Sequence, residues 1–234
     1  MIRALVFDFD GLMVDTELPA YDSWLDIYRE YGQEFPLPLW SAVLGGSSRE
    51  FDPVAYLAER AGRPLDAEAI RARRWRRKLE LVAAQPLMPG VAAYIDDARR
   101  LGLGLGVASS SSRAWVVGHL DRLGVADRFD AILTADDVER VKPAPDLYLA
   151  AVAALGVRPD EAIALEDAPN GLLSAKRAGL VAVAVPNPLT GQLPLDHADL
   201  RLISLADMPL EELIEAAIRA DPAARARGPA WPVG

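Results

Sequence analysis

The chain has 234 residues, 51% of them hydrophobic, which is enough for one large domain or for a core with a modest insertion. A formal net charge of −9 argues against a nucleic-acid partner, because such proteins present a basic surface. Cysteine is absent, which excludes disulfides and thiolate metal sites, and no apolar stretch approaches the ~20 residues of a membrane helix. We therefore expect a cytoplasmic protein with no signal peptide and no membrane partner.

The first predicted strand, residues 2–7, is followed at once by two acids. It contains the apolar run 4–7, and then come Asp8, Asp10 and Gly11, which allows a turn. Residues i and i+2 of a strand point to the same side, so both carboxylates face the crevice at the end of a parallel strand. Two such carboxylates repel unless a shared proton or a cation relieves them, and a hard divalent cation is the simplest remedy. An acidic turn with no ligand is the alternative.

Residues 18–86 show helical patterns and no convincing strand. Apolar side chains recur there at helical spacing in three stretches. These side chains are Trp24, Ile27, Tyr28 and Tyr31, then Val54, Leu57, Ala58 and Ala61, and then Ala72, Trp75, Leu79 and Val82. Pro19 marks the entry and Pro86 the exit. The pattern predicts a small helical domain at 18–86, inserted into a core of residues 1–17 and 87–234.

A basic run at residues 71–78 lies within this helical segment of an acidic chain. It could form a face that attracts anions. The apolar stripe of the same helix favours a second interpretation, in which the arginine side chains point outward into solvent.

Beyond residue 86, short apolar runs alternate with helical patterns. Further strands are predicted at 104–108, 131–134, 162–165, 181–185 and 200–203. Helices are predicted at 91–101, 114–123, 146–155, 171–178 and 209–219. Continuous apolar strands that alternate with helices are typical of a parallel sheet covered on both faces. The predicted fold class is therefore α/β, a doubly wound parallel sheet with an inserted α-helical domain.

Three later segments place polar side chains near predicted strand ends. Ser109 follows the strand 104–108, Lys142 precedes a helix next to Pro143, and Glu166 with Asp167 closes the strand 162–165. Taken singly, these could be a polar turn, a solvated lysine and a surface acidic pair. Their common location at strand ends is what makes them candidates for one site.

Taken in order, the four segments resemble the motifs of the haloacid dehalogenase superfamily. Its phosphatases read Asp-x-Asp-Gly-x-x-x-Asp-Ser/Thr, and this chain reads Asp8-Phe9-Asp10-Gly11-Leu12-Met13-Val14-Asp15-Thr16. The resemblance implies a Rossmann-like core with an α-helical cap of the subfamily I type closing over the active site. Dehalogenase members lack the second Asp, so Asp10 favours phosphate chemistry on a small phosphorylated metabolite.

The resemblance also implies a role for each residue. Asp8 would be the nucleophile that forms an aspartyl-phosphate, and Asp10 the general acid and base. Ser109 would donate to a phosphoryl oxygen, and Lys142 would neutralise the charge of Asp8 and the phosphate. The backbone around Gly11 and Ser110 would bind the substrate.

A Mg²⁺ site is implied by the same matches. Its ligands would be Asp8, the backbone carbonyl of Asp10, and Asp167, with Glu166 acting directly or through water. Mg²⁺ prefers such oxygen ligands and keeps several waters.

Two reaction types share all four motifs, namely phosphatases of small sugar phosphates and β-phosphoglucomutases. The segment Gly46-Ser47-Ser48-Arg49-Glu50 resembles the mutase loop in which Arg holds the distal phosphate. Mutases also carry a His and a Lys where this chain has Ala20 and Gly45. We therefore expect a monomeric phosphatase of a sugar or polyol phosphate, with Arg49 as a substrate-binding residue. A phosphosugar mutase is the alternative, and a non-catalytic binding module a remote one.

Overall fold

The sheet predicted from the sequence is present in the computed structural model, which describes residues 1–42 and 51–220. Its six strands are β1 (Ala4–Phe7), β2 (Gly104–Ala108), β3 (Ala131–Leu133), β4 (Ala162–Glu166), β5 (Val181–Ala184) and β6 (Leu200–Arg201). Their order across the sheet is β3-β2-β1-β4-β5-β6, and all neighbouring pairs are parallel. β1 is central and the chain adds strands on both sides of it, so the doubly wound α/β prediction is confirmed.

The helices fall into two groups along the described residues. The first group, within residues 17–83, comprises α1 (Glu17–Glu30), α2 (Leu37–Ala42), α3 (Pro53–Ala61) and α4 (Ala67–Ala83). The second group comprises α5 (Val91–Arg100), α6 (Arg113–Arg122), α7 (Asp146–Ala154), α8 (Pro169–Ala178) and α9 (Leu210–Ala220). The helices predicted beyond residue 86 are confirmed to within two residues at each end.

Two predicted strands are each two residues too long: β1 begins at Ala4 rather than at residue 2, and β6, at the sheet edge, ends early. β6 covers Leu200–Arg201 rather than residues 200–203, because its partner β5 ends at Ala184, which pairs with Arg201. The Leu202 N–H still donates to the Ala184 carbonyl at 2.8 Å, but the chain then leaves the sheet, and Ile203 is 87% exposed.

Alternate residues of the strands pack on opposite faces of the sheet. Leu5 and Phe7 belong to an apolar cluster that includes residues of α5, α6 and α9. Ala4 and Val6 belong to a second cluster with residues of α7 and α8. Both faces are therefore covered, as the continuous apolar strands predicted.

Helices α1 to α4 share a third apolar cluster that is rich in aromatic rings. The ring centroids of Tyr28 and Phe35 lie 4.7 Å apart, and Trp24 lies 6.3 Å from Phe35. Leu189, from the loop after β5, joins this cluster, whereas Val82 of α4 joins the cluster of α5, α6 and α9. A separate core supports an inserted helical domain, whose boundaries at 18 and 86 we retain as a proposal. We refer to α1–α4 as the cap.

The two chain connections of the cap lie side by side. Val14 forms an antiparallel bridge with Leu87, and the Met88 N–H donates to the Met13 carbonyl at 2.9 Å. The Asp15 carboxylate accepts from the backbone N–H groups of Glu17 and Leu18, the first two residues of α1. The cap is therefore joined to the core next to the end of β1, where the first two acids lie.

The basic run of α4 only partly follows its predicted orientation. Arg71 and Arg77 form exposed ion pairs with Asp52 and Asp26, at 2.7 and 2.8 Å. The expectation that the whole run faces solvent is wrong for Arg74 and Lys78. These two residues are four apart and so share one helix face, which is turned toward the protein.

Arg74 shows what that inward face contacts. Its guanidinium carbon lies 5.2 Å from the ring centroid of Trp24, and its NH2 donates to the Ala20 carbonyl at 3.2 Å.

In the described residues, no helix is both long enough and apolar enough to cross a membrane.

Candidate active site

The predicted site residues meet at the carboxyl ends of the central strands. Asp8 follows β1, Ser109 follows β2, and Asp167 follows β4. They lie by a cleft of about 230 Å³, which the cap enters through Glu17. Its lining residues include Asp8, Asp10, Ser110, Lys142, Glu166, Asp167 and Asn170. Sequentially distant motifs therefore converge because parallel strands end at one edge of the sheet.

Lys142 is the buried cation of this cleft. Its Nζ forms an ion pair with Oδ1 of Asp8 and lies 2.6 Å from Oε1 of Glu166. Burial alone would lower the pKa of Lys142, but the two carboxylates outweigh burial and raise that pKa above its usual range. The ammonium group therefore stays charged between the two acids.

Three buried carboxylates surround that single ammonium group. Asp8, Glu166 and Asp167 each offer an oxygen, and these oxygens lie within 4.8 Å of one another. Burial raises the pKa of Asp8 to about 8, although Lys142 opposes the rise and Glu166 adds to it. Burial, reinforced by Asp8 and Glu166, also raises the pKa of Asp167 well above its usual range. With all three carboxylates ionised, the cluster would carry more negative charge than Lys142 balances.

This donor set fits a small, hard divalent cation. Its side-chain atoms are all carboxylate oxygens, which Mg²⁺ prefers. A cation there would stabilise the ionised carboxylates against the burial, and the smaller mutual repulsion, that raise the pKa values of Asp8 and Asp167.

Asn187, which follows β5, was missed by the sequence analysis. Its Nδ2 donates to Oδ2 of Asp167 at 2.9 Å and to the Gly11 carbonyl at 3.3 Å. Its Oδ1 accepts from the backbone N–H groups of Leu189 and Thr190, at 2.9 and 3.0 Å, which fixes the direction of the amide. Asn187 is a buried polar residue just past a strand, so the signal used for Ser109 would have found it.

Tyr148 and Gly171 shape the position of Glu166. The Tyr148 hydroxyl donates to Oε1 of Glu166 from the buried face of α7. A Cβ at Gly171 would lie 2.0 Å from Oε2 of Glu166, so the first turn of α8 needs glycine there. Gly171 is the first residue of the predicted helix 171–178, where a glycine is no signal of a close contact. Tyr148 lies in an apolar stretch and gave no signal either.

Gly11 is required by both its backbone and its surroundings. Its φ is +82°, in the left-handed region, and a Cβ there would lie 2.3 Å from Oδ2 of Asp167. Gly11 and Asp167 therefore lie in direct proximity, and the predicted turn at Gly11 is present. Ser110 lines the cleft, whereas Arg49 lies outside the described residues.

Asp10 is hydrogen-bonded through both carboxylate oxygens. Ser111 Oγ donates to Oδ2 at 2.6 Å, and Ser109 Oγ lies 3.4 Å from the same oxygen. The indole N–H of Trp115 donates to Oδ1 at 2.9 Å. The structure thus brings Ser109 and Asp10 together as predicted, and it adds Ser111 and Trp115, which the sequence analysis did not single out.

A model of the haloacid dehalogenase-like hydrolase family matches residues 2–179. The chain belongs to this family. It is 46% identical over 215 residues to the protein of Bacillus subtilis (strain 168) that is named "Putative phosphatase YhcW", with 92% of this chain and 97% of that protein covered. It is 32% identical to hexitol phosphatase B of Escherichia coli (strain K12), over 91% of this chain and 97% of that protein.

Solved structures agree with the fold. A β-phosphoglucomutase from Clostridium difficile superposes with a TM-score of 0.70, covering 94% of this chain and 98% of that chain at 23% identity. At this identity the likeness shows the fold alone. The family match and the phosphatase names of the relatives identify this haloacid dehalogenase-like protein as a phosphoric monoester hydrolase.

Proposed function

We propose that this hydrolase is a Mg²⁺-dependent, cytoplasmic phosphatase of a small sugar or polyol phosphate, acting through an aspartyl-phosphate on Asp8. The observation that carries the proposal is the contact of Asp8 with Lys142 beside Glu166 and Asp167, in one buried cluster. The substrate class follows from relatives such as hexitol phosphatase B. The cleft of about 230 Å³ suits a small phosphate ester better than a polymer.

In the first step, an oxygen of Asp8 attacks phosphorus, and the bond from phosphorus to the leaving alcohol oxygen breaks. Asp10 gives its proton to that oxygen, so a neutral alcohol departs. Lys142 holds Asp8 in place and supplies positive charge to the transferring group. Ser109 lies beside Asp10 with a hydroxyl able to donate to a phosphoryl oxygen.

In the second step, water attacks the phosphorus of the aspartyl-phosphate. Asp10, now a carboxylate, takes a proton from that water, and the bond from phosphorus to Asp8 breaks. Inorganic phosphate leaves and both aspartates return to their starting forms.

Asp8, Glu166 and Asp167 would hold the cation, with the Asp10 carbonyl as a further ligand. When bound, Mg²⁺ supplies charge that neutralises the phosphoryl oxygens. Asn187 keeps Asp167 oriented through its 2.9 Å hydrogen bond.

The test is phosphate release from a panel of sugar and polyol phosphates, with Mg²⁺ and with excess chelator. The proposal expects Mg²⁺-dependent release that Asp8→Asn abolishes while the folded state persists. Full activity in chelator would overturn the metal assignment.

The mutase alternative rests on the sequence around Arg49 and needs its own assay. It uses β-glucose 1-phosphate with a trace of the bisphosphate and Mg²⁺. The phosphatase proposal expects free phosphate, whereas fast formation of glucose 6-phosphate with little free phosphate would establish the mutase.

A further inference from the structure

Trp115 lies beside the site, and neither step above uses it. It lies in the first turn of α6, and its Nε1–H donates to Oδ1 of Asp10 at 2.9 Å. The indole N–H of tryptophan can only donate, so Oδ1 of Asp10 is the acceptor of this bond whatever the protonation state of the surrounding groups. The indole is half-buried and packs against the apolar cluster of α5, α6 and α9. It therefore reaches the catalytic carboxylate from a well-packed position.

The second oxygen of Asp10 is held from the loop before α6. Ser111 Oγ donates to Oδ2 at 2.6 Å. A free aspartate carboxylate turns within a broad, roughly two-fold torsional well. Donors on both oxygens remove that freedom, so Trp115 and Ser111 together set the plane of the Asp10 carboxylate.

The indole ring of Trp115 is itself fixed by three neighbours. The Trp75 ring on α4 lies 5.9 Å away, with the ring planes at 36°. His119, one turn along α6, lies 4.4 Å away at 75°, and Nζ of Lys78 lies 5.0 Å from the Trp115 ring centroid. These three contacts restrict rotation of the indole ring, so its N–H stays directed at Asp10.

We propose that Trp115 is a positioning residue that orients Asp10 for proton transfer to the leaving oxygen. This inference rests on the proposed role of Asp10 as general acid. Small displacements of a catalytic group slow a reaction strongly, by about 10²-fold for about 1 Å. Loss of the only described hydrogen bond to Oδ1 of Asp10, one of three to this carboxylate, should therefore slow proton donation by about 10-fold, less than the ~10²–10⁴-fold contribution of a general acid itself.

The test compares two leaving groups in Trp115→Phe, which keeps an aromatic ring and removes the N–H donor. The first substrate is the alkyl phosphate that the enzyme hydrolyses fastest in the panel of sugar and polyol phosphates. Its leaving oxygen needs a proton. p-Nitrophenyl phosphate releases a phenolate that departs unprotonated. Because kcat/KM covers the steps up to departure of the leaving group, the ratio of kcat/KM values for the two substrates isolates proton donation from the later hydrolysis.

The expected result is that Trp115→Phe lowers the alkyl-to-aryl ratio about 10-fold, with little change in kcat/KM for the aryl ester. Trp40→Phe makes the same change in a tryptophan of the cap, whose ring contacts Phe35 and Arg74 and has no described contact with Trp115 or Asp10, and should leave the ratio at its wild-type value. An unchanged ratio in Trp115→Phe, or an equal fall for both substrates, would overturn the inference.

Asp10→Asn in the same assay separates this inference from the proposed function. If Asp10→Asn leaves the ratio unchanged, the general-acid role fails and Trp115 has no proton donor to position. If Asp10→Asn lowers the ratio and Trp115→Phe does not, only the role of Trp115 fails. Should Trp115→Phe not fold, Trp115→Met removes the same N–H with a flexible apolar side chain and gives the same readout.

Discussion

The ammonium group of Lys142 is in ion-pair contact with the carboxylate of Asp8, 134 residues away in the chain. Both side chains are buried, and the same ammonium lies 2.6 Å from Glu166. Removing one partner of a buried ion pair leaves an uncompensated charge, which is far more damaging than the loss of a surface pair. Lys142 is therefore central to both the activity and the stability of the site.

Lys142→Met should lower kcat by about 10²–10³-fold, because a preorganised charge at the reacting group is lost. It should also lower the free energy of unfolding by about 3–5 kcal/mol. The matched control is Lys176→Met, which breaks a partly exposed pair with Asp199 and should change stability by about 1 kcal/mol or less. Phosphate release and urea unfolding measure the two effects. Equal effects of both variants would contradict the central role of Lys142.

Asp167→Asn should weaken Mg²⁺ binding and activity together, because it removes one of the three clustered carboxylates. Calorimetric Mg²⁺ titration and kcat at saturating Mg²⁺ measure this. Asp196→Asn, at an exposed loop position, should bind Mg²⁺ like the wild type. Wild-type affinity in Asp167→Asn would remove this residue from the metal site.

Asn187→Ala should lower Mg²⁺ affinity by about 10–100-fold, because Asp167 loses the donor that orients it. Gln192→Ala is the control from the same loop, since that side chain is exposed and donates only to the Pro188 carbonyl among the described contacts. The same titration distinguishes the two variants. An Asn187→Ala protein with unaltered affinity would show that Asp167 is oriented by other groups.

Without Mg²⁺, the protein should lose stability as pH rises from about 4 to about 8. The pKa of Asp8 is about 8 in the folded chain against 3.8 for the free side chain. The folded state therefore binds more protons in this window, and the contribution of protonated Asp8 is lost as pH passes the folded pKa. Mg²⁺ should accordingly raise Tm more at about pH 8.5 than at about pH 6. A Mg²⁺ shift that is larger at the lower pH would contradict the buried, repelling cluster.

Gly171→Ala should destabilise the protein and reduce activity, since the new Cβ would lie 2.0 Å from Oε2 of Glu166. Gly118→Ala makes the same change in α6, where a Cβ has no neighbour within 4 Å, and should stabilise by up to about 1 kcal/mol. Thermal unfolding of both variants tests the difference in sign. A stable, active Gly171→Ala protein would show that Glu166 can move without loss.

The sheet and its order of elements could be predicted because strand ends and helix stripes are local signals. Three of the four motifs were predictable for the same reason, since Asp8, Ser109 and Glu166 each lie at a strand end, whereas Lys142 lies in the loop before α7. The short β6 was not, because its length is set by its pairing with β5 rather than by its own residues.

The side chains that orient the catalytic groups were harder to predict. Tyr148 and Trp115 lie on helices with apolar neighbours, and their polar atoms meet Glu166 and Asp10 only after tertiary packing. The inward turn of Lys78 likewise depends on the aromatic rings of Trp75 and Trp115, which a one-dimensional charge pattern does not reveal.

The central claim is that Asp8 carries the phosphoryl group during turnover. Acid quenching of the enzyme with substrate and Mg²⁺, followed by borohydride reduction, converts an aspartyl-phosphate into homoserine that peptide mass spectrometry can locate. The account predicts homoserine at position 8, dependent on substrate and absent in Asp8→Asn. Phosphate found on Ser109 instead, with position 8 unmodified, would contradict it.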